Sequence, residues 1–256
     1  MTIMNEEMTR NKIPEVALLF WIMKISATTL GETGGDFLSM TLDLGYAVSS
    51  IIFIGFFLVT VTGQLSVKRY IPVIYWCVIV ATSTAGTTMS DLMDRTLGLG
   101  YVAGSAILVS ILVIVLLLWY YSERSLSVTN IRTFKGELFY WTAILFSNTL
   151  GTAFGDFLAD SSGLGFAGSN ILISSTLLLI VLAHYFTKIS KVVLFWIAFV
   201  LTRPFGATFG DVLTKTKEQG GLDLGTKGAS IVFASILVVL IIYETFWHKK
   251  KKPETA

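Results

Sequence analysis

The sequence predicts an all-α polytopic membrane bundle of eight helices. They form four two-helix repeats of one orientation, related by a pseudo-two-fold axis along the membrane normal, with a pseudo-four-fold ring as the more symmetric option. Three observations predict this. Apolar residues make up 54% of the 256-residue chain and charged residues only 14%, where a soluble domain carries about 25% charged residues. Apolar runs near about 20 residues, long enough to cross hydrocarbon as a helix, recur along the chain. One pattern also repeats four times without a gap. Trp21, Trp76, Trp141 and Trp196 are each followed ten residues on by Gly31, Gly86, Gly151 and Gly206. Fourteen residues on stand Gly35, Ser90, Gly155 and Gly210, and fifteen on Asp36, Asp91, Asp156 and Asp211.

Each element follows from these signals in order. Residues 1–13 form a polar N-terminal tail expected in the cytoplasm; it lacks the basic and small-residue regions of a cleavable signal, so the first apolar run is the first span. Residues 14–247 form one membrane domain with repeats at about 14–67, 68–122, 137–187 and 190–247, and residues 248–256 form a basic tail that suits anionic lipid. Helices are expected at 15–36, 45–65, 71–93, 100–121, 138–158, 165–186, 191–213 and 226–247. The two members of each repeat are joined by a turn, Asp43-Leu44-Gly45, Gly98-Leu99-Gly100, Gly163-Leu164-Gly165 or Asp223-Leu224-Gly225. The fourth connection is longer, with a polar stretch around Lys217 to Gly221. Ser50, Ser105, Asn170 and Ser230 follow these turns and suit close helix packing, with ligand contact as the second reading. The tryptophans lie 55, 65 and 55 residues apart, so the linker from Ser122 to Gly136 divides the chain into halves.

Lys and Arg counts orient the bundle. Arg10, Lys12, Lys68, Arg69, Arg124, Arg132, Lys135, Lys188, Lys191 and Lys249 to Lys252 fall on one side, against Arg95, Lys215, Lys217 and Lys227 on the other. The excess puts both termini in the cytoplasm and the aspartate ends outside. Because each repeat is a whole helix pair, the four share one orientation, the parallel-repeat case.

Placed on a helix, positions eight, eleven, twelve and fifteen after each Trp share one face. They are Thr29, Glu32, Thr33 and Asp36; Thr84, Thr87, Thr88 and Asp91; Thr149, Thr152, Ala153 and Asp156; and Pro204, Ala207, Thr208 and Asp211. Four such faces turned to one axis would line a polar path with aspartates at its outer mouth, since polar groups avoid lipid. The small residues on another face (Gly31, Gly35, Gly86, Gly151, Gly155, Gly206 and Gly210) would let neighbouring backbones approach. At about 1.5 Å per residue each aspartate lies about 22 Å beyond its Trp, near the outer boundary if Trp marks the inner one. An aspartate at a helix C-terminus is disfavoured by the dipole, and a bound cation would offset that; capping of loop amides is the structural alternative.

Two bases interrupt the symmetry. Lys24 is expected to snorkel to the inner interface. Arg203 lies deeper, where the other repeats have Thr28, Ser83 and Asn148; it is either an internal counter-ion, as to Glu32, or the recognition charge for an anionic substrate. Pro204 beside it is expected to kink or open the seventh helix. Cys77 reads as a small core residue, and His184 and His248 lack metal or protease spacing. No nucleophile and base pair is visible, so no enzyme and no cofactor are expected.

The four-fold Trp…Gly…Gly-Asp pattern resembles a bacterial membrane-protein repeat family of unknown function, with four tandem repeats of two membrane helices and a signature tryptophan. The likeness covers residues 20–247 and is clearest at Gly34-Gly35-Asp36-Phe37 and Gly155-Asp156-Phe157-Leu158. Ser90 and the Arg203-Pro204 pair depart from it. It implies the architecture and carries over no activity.

Three functions compete. The first is an inner-membrane transporter or channel for a small hard cation (a divalent metal, proton or sodium) held by Asp36, Asp91, Asp156, Asp211 and Glu32, with Thr29, Thr84, Thr149 and Arg203 along the path; the lack of Cys, His and Met in the motif disfavours soft metals. The second is a carrier of a small organic or anionic solute recognised by Arg203. The third is an interaction or sensory subunit with a solid bundle centre. Expected partners are membrane lipid and a small ion or solute, not nucleic acid; homo-oligomerisation stays open.

Overall fold

A computed structural model describes residues 12–128, 131 and 133–251. The tail through residue 11, Arg132, the side chains of His248 to Lys251 and residues 252–256 lie outside this description, and with them most of the basic tail expected to hold lipid. Eight long helices are present: α1 Leu18–Asp36, α2 Gly45–Ser66, α3 Pro72–Asp91, α4 Gly100–Glu123, α5 Phe134–Asp156, α6 Gly165–Phe186, α7 Lys191–Thr214 and α8 Gly225–Lys251. Among the described residues there is no strand. Six of the eight are long and apolar enough to cross a membrane. The exceptions, α1 and α5, carry charged and polar residues that the fold buries, including Lys24, Glu32, Glu137 and Asn148.

The four odd-numbered helices form a closed inner ring, α1 to α3 to α5 to α7 and back to α1. Glycine makes the ring tight. A Cβ on Gly31 would stand 2.9 Å from the backbone of Ser83, on Gly86 2.9 Å from Asn148, on Gly151 against the Arg203 side chain and 2.9 Å from Pro204, and on Gly206 2.9 Å from Thr28. So the glycine ten residues after each Trp abuts the residue seven after the next Trp, and the fourth repeat closes onto the first. One turn on, Gly35 faces Thr87, Gly155 faces Ala207 and Gly210 faces Glu32. Contacts ascending in step on both partners mean that neighbouring ring helices run parallel.

The even-numbered helices form an outer shell, displaced by one repeat. α2 packs on α3, α4 on α5, α6 on α7, and α8 on α1. Each hydrophobic hairpin therefore covers its successor, and the packing repeats four times around the axis. The small polar residues on the even helices serve this contact in two repeats. Ser230 hydrogen-bonds Thr33 at 2.9 Å, and Asn170 Nδ2 donates to Thr208 Oγ1 at 3.1 Å.

The turn joining each pair repeats one backbone solution. Asp43, Gly98, Gly163 and Asp223 are left-handed, and so are Gly45, Gly100, Gly165 and Gly225 two residues on. Aspartate tolerates that region and glycine enters it without Cβ strain, which is why the x-Leu-Gly signature recurs. Before this turn the first three ring helices do not stop at their aspartates. A five-residue π turn follows in each: Phe37–Thr41, Leu92–Thr96 and Phe157–Ser161. The aspartates thus sit one turn inside the helical rod rather than at its end, so the expected dipole penalty of a terminal carboxylate is relieved. The fourth repeat has no π turn; α7 ends at Thr214, and a loop with a Thr216/Gln219 capping box replaces it. α7 also continues as helix through Pro204, where a kink or an opening was expected, so the helix is not opened there. Its neighbours in the ring hold it in place.

Candidate functional site

The ring axis is built from one ridge of each odd helix, positions three, seven, eleven and fifteen after each Trp. Steps of four keep slowly tilting helices in register, as along an i±4 ridge. Four layers result. The innermost holds Lys24, Ile79, Ile144 and Phe199, and the next Thr28, Ser83, Asn148 and Arg203; every one is wholly inaccessible to solvent. Above them lie Glu32, Thr87, Thr152 and Ala207, then the four aspartates, which are 3–4% exposed, as Glu32 already is. Below all four, Phe20, Tyr75, Tyr140 and Phe195 floor the axis, with the Tyr75 and Tyr140 hydroxyls 2.6 Å apart. The axis is closed by packed side chains.

Arg203 reaches across this axis. Its Nη2 donates to Glu32 Oε2 at 2.8 Å, to Thr152 Oγ1 at 2.7 Å and to the Thr87 hydroxyl. These are the three residues that the other ring helices offer in the layer above. Nη1 donates to the Thr28 carbonyl at 3.3 Å. The guanidinium is thereby an internal counter-ion to Glu32, the first of the two readings weighed for it, and it ties all four repeats together.

Lys24 does not snorkel. It is fully buried, donates to Asn148 Oδ1 at 3.2 Å and lies 4.0 Å over the centroid of the Phe199 ring. Close ring packing turns its helix face toward the axis, leaving the stem no route to the interface. Three of the four signature tryptophans, Trp76, Trp141 and Trp196, are likewise buried in the core, while Trp21 packs against it partly buried. Trp76 and Trp141 are 0% and 1% exposed, and Trp76 Nε1 donates to Glu244 Oε2 at 3.0 Å.

At the aspartate end of the ring, two bases bridge the four aspartates pairwise. Arg95 Nε lies 2.8 Å from Asp91 Oδ1, and its Nη2 lies 3.4 Å from Asp156 and 3.7 Å from Asp160. Lys215 Nζ lies 3.1 Å from Asp211 and 3.3 Å from Asp36. Each base stands four residues after its own aspartate and bridges to the aspartate of the next repeat. The corresponding positions of repeats one and three are Met40 and Asp160. A four-fold backbone thus carries a two-fold charge pattern. Lys215 lies just beyond α7; burial works against its charge, but the Asp211 and Asp36 carboxylates outweigh it and hold the ammonium above the usual lysine range. The carboxylates of Glu32, Asp36 and Asp211 offer oxygens all within 4.8 Å of one another, a spacing that a metal ion could bridge.

The sequence-derived site residues divide accordingly. The structure brings Asp36, Asp91, Asp156, Asp211, Glu32 and Arg203 together at one end of the ring. The Thr29, Thr84 and Thr149 hydroxyls are not part of that cluster. Thr84 donates to the Val80 and Ala81 carbonyls, Thr149 to the Leu145 carbonyl, and Thr29 has no hydrogen-bond partner among the described residues. The polar face is therefore rotated from the expected one: positions seven and eleven face inward, while position twelve meets the outer helices. Arg95 and Lys215 counted only as outer-side charges in the sequence, although Asp-x-x-x-Arg and Asp-x-x-x-Lys were legible as i,i+4 ion pairs. Asn148, Ser83 and Thr28 show as axial residues only through their register with Arg203.

Comparison with known proteins adds the family. The chain matches the family model of a repeat of unknown function, DUF347, four times, over residues 19–70, 74–125, 139–190 and 194–250. Each match begins two residues before its tryptophan. No curated protein and no solved structure matches it. With four copies covering most of its length, the chain belongs to the DUF347 repeat family.

Proposed function

We propose that this protein is a carrier for a small hard cation (a divalent metal, proton or sodium) in the bacterial inner membrane, with both termini cytoplasmic and no enzymatic step. The carrying observation is the acidic mouth, where four aspartates and Glu32 converge at one end of the ring and Glu32, Asp36 and Asp211 set their oxygens within 4.8 Å. Hard oxygen ligands without Cys, His or Met suit manganese, magnesium or calcium better than copper or zinc. Arg95 and Lys215 stand where an arriving cation would exchange with a resident charge. The closed axis supports a carrier rather than a continuously open channel. The anionic-solute reading is weaker, because Arg203 is already occupied by Glu32 and Thr152.

A second reading draws on the same closed axis: a solid centre suits a sensory or interaction subunit as well as a carrier at rest. Flux separates them. Proteoliposomes holding the full chain should take up Mn²⁺, Mg²⁺, Ca²⁺ or Na⁺, or move protons, above protein-free vesicles, and Asp36→Asn, Asp156→Asn and Asp211→Asn should each reduce it. Variants that transport like wild type, or no flux for any cation, would sink the carrier.

A further inference from the structure

Lys24 has no role in the acidic mouth, yet it is a wholly buried base on the axis. Two cations, Lys24 and Arg203, occupy the two deepest polar layers, and one carboxylate, Glu32, lies above them. Glu32 is taken by Arg203 at 2.8 Å. Few polar groups face Lys24. From α7 it meets Arg203, as a nearby like charge, and the Phe199 ring; from α5 it meets the Asn148 amide. α3 contributes Ile79 at that level and the Tyr75 hydroxyl, bonded to Tyr140, one turn below. The buried carboxylate of α8, Glu244, is held by Tyr70 and Trp76 at the inner end. No carboxylate lies within ion-pair distance of Lys24 among the described residues. An ammonium has three N–H donors, and one amide oxygen with an aromatic face leaves it undersatisfied. A buried charge in that state gives up its proton or finds a counter-ion. Arginine cannot release a proton, whereas buried lysine does so readily.

We propose that Lys24 is a reversible proton site at the centre of the bundle, a neutral amine in the closed ring and an ammonium in an opened one. A cation arriving at Glu32 competes with Arg203 for its carboxylate and adds positive charge above Lys24. Cation occupancy at Glu32 and proton occupancy at Lys24 therefore oppose each other, and by linkage each weakens the other equally. The co-substrate implied is a proton exchanged for the cation, which rests on the carrier reading; the protonation state itself does not.

Two measurements keep these apart. The full chain labelled with ¹⁵N at lysine Nζ, in detergent at neutral pH, should show one neutral amine resonance, absent from Lys24→Arg and Lys24→Met and insensitive to chloride. If every lysine reads as ammonium, or the Lys24 signal follows chloride titration as a paired ammonium would, the proposal is overturned whatever the protein transports. In proteoliposomes, a one-unit pH gradient across a one-for-one exchanger supports about a ten-fold accumulation of a monovalent cation, the free-energy equivalent of one pKa unit. Wild type should show gradient-driven Na⁺ or Mn²⁺ movement, while Lys24→Met and Lys24→Arg lose that drive yet still bind Mn²⁺ in detergent. Binding and flux that stay proton-driven in both variants refute the exchange role; absence of any flux or binding in wild type counts against the carrier reading instead.

Discussion

The Arg203–Glu32 pair offers the sharpest test of how the ring is held. Both side chains are buried, at 0% and 5% exposure, with N to O at 2.8 Å. Arg203→Met leaves the Glu32 carboxylate without its counter-ion, and breaking a buried pair from one side costs about 3–5 kcal/mol. The freed hydroxyls add little, since Thr87 already donates to the Ser83 carbonyl at 3.2 Å and Thr152 to that of Asn148 at 3.4 Å. Glu32→Gln strands the guanidinium at a similar cost. The double variant buries no net charge and should cost no more than one single, so the interaction energy is at least about 3 kcal/mol. Thermal unfolding in detergent, followed by tryptophan fluorescence, reads this out. At about 2–4 °C per kcal/mol for a chain of this size, each single should lower Tm by about 6–20 °C. A double variant whose Tm falls by the sum of the two singles would refute the claim that this pair joins the repeats as a unit.

Three further outcomes are expected. Gly86→Val places a branched side chain against the Asn148 backbone, where even a Cβ stands 2.9 Å away, and should cost at least about 1–3 kcal/mol by overpacking. Gly55→Ala on the outer shell meets open space and should stabilise by about 0.5–1 kcal/mol; equal Tm shifts for the two would count against glycine-tight ring closure. Tyr70 lies between spans, and burial, with the Glu244 carboxylate 2.9 Å away, pushes its phenol above the usual range. The unfolded chain releases that proton near pH 10 while the folded one keeps it, so stability is fully present below about pH 10 and falls as pH rises beyond it. Tyr70→Phe should flatten that alkaline slope in urea titrations, and an unchanged slope would remove Tyr70 from the linkage. Finally, Lys215→Gln removes the ammonium bridging Asp36 and Asp211, and should tighten Mn²⁺ binding by more than about ten-fold, because a unit charge about 4 Å away is worth about 4 kcal/mol at an effective permittivity near 20. Manganese-dependent thermal shifts no larger than wild type would remove Lys215 as the competing cation.

Much of the fold was legible from spacing alone. Eight helices, their turns and the shared orientation of the repeats follow from Trp-to-Asp periodicity and apolar runs, because burial of helix backbone in hydrocarbon leaves few alternatives. The convergence of the aspartates was legible for the same reason: equivalent positions on equivalent helices reach equivalent depth. The rotation of the polar face was not. A helical wheel places positions eight and eleven together equally well, and only contact between Gly31 and Ser83, or Gly206 and Thr28, decides which ridge turns inward.

By itself, then, the sequence determined the repeat unit, the equivalent placement of Asp36, Asp91, Asp156 and Asp211 within each repeat, and the Gly-containing turn that joins each helix pair. These are local or translational properties, carried by residues within one repeat. Tertiary structure alone decided which residues from different repeats meet. Arg203 finds Glu32, Thr87 and Thr152, each base spans two aspartates, and Lys24 is sealed beneath them. Those contacts arise from closing the ring, where the register between helices far apart in sequence is set by glycine-sized gaps, not by any single helix's pattern.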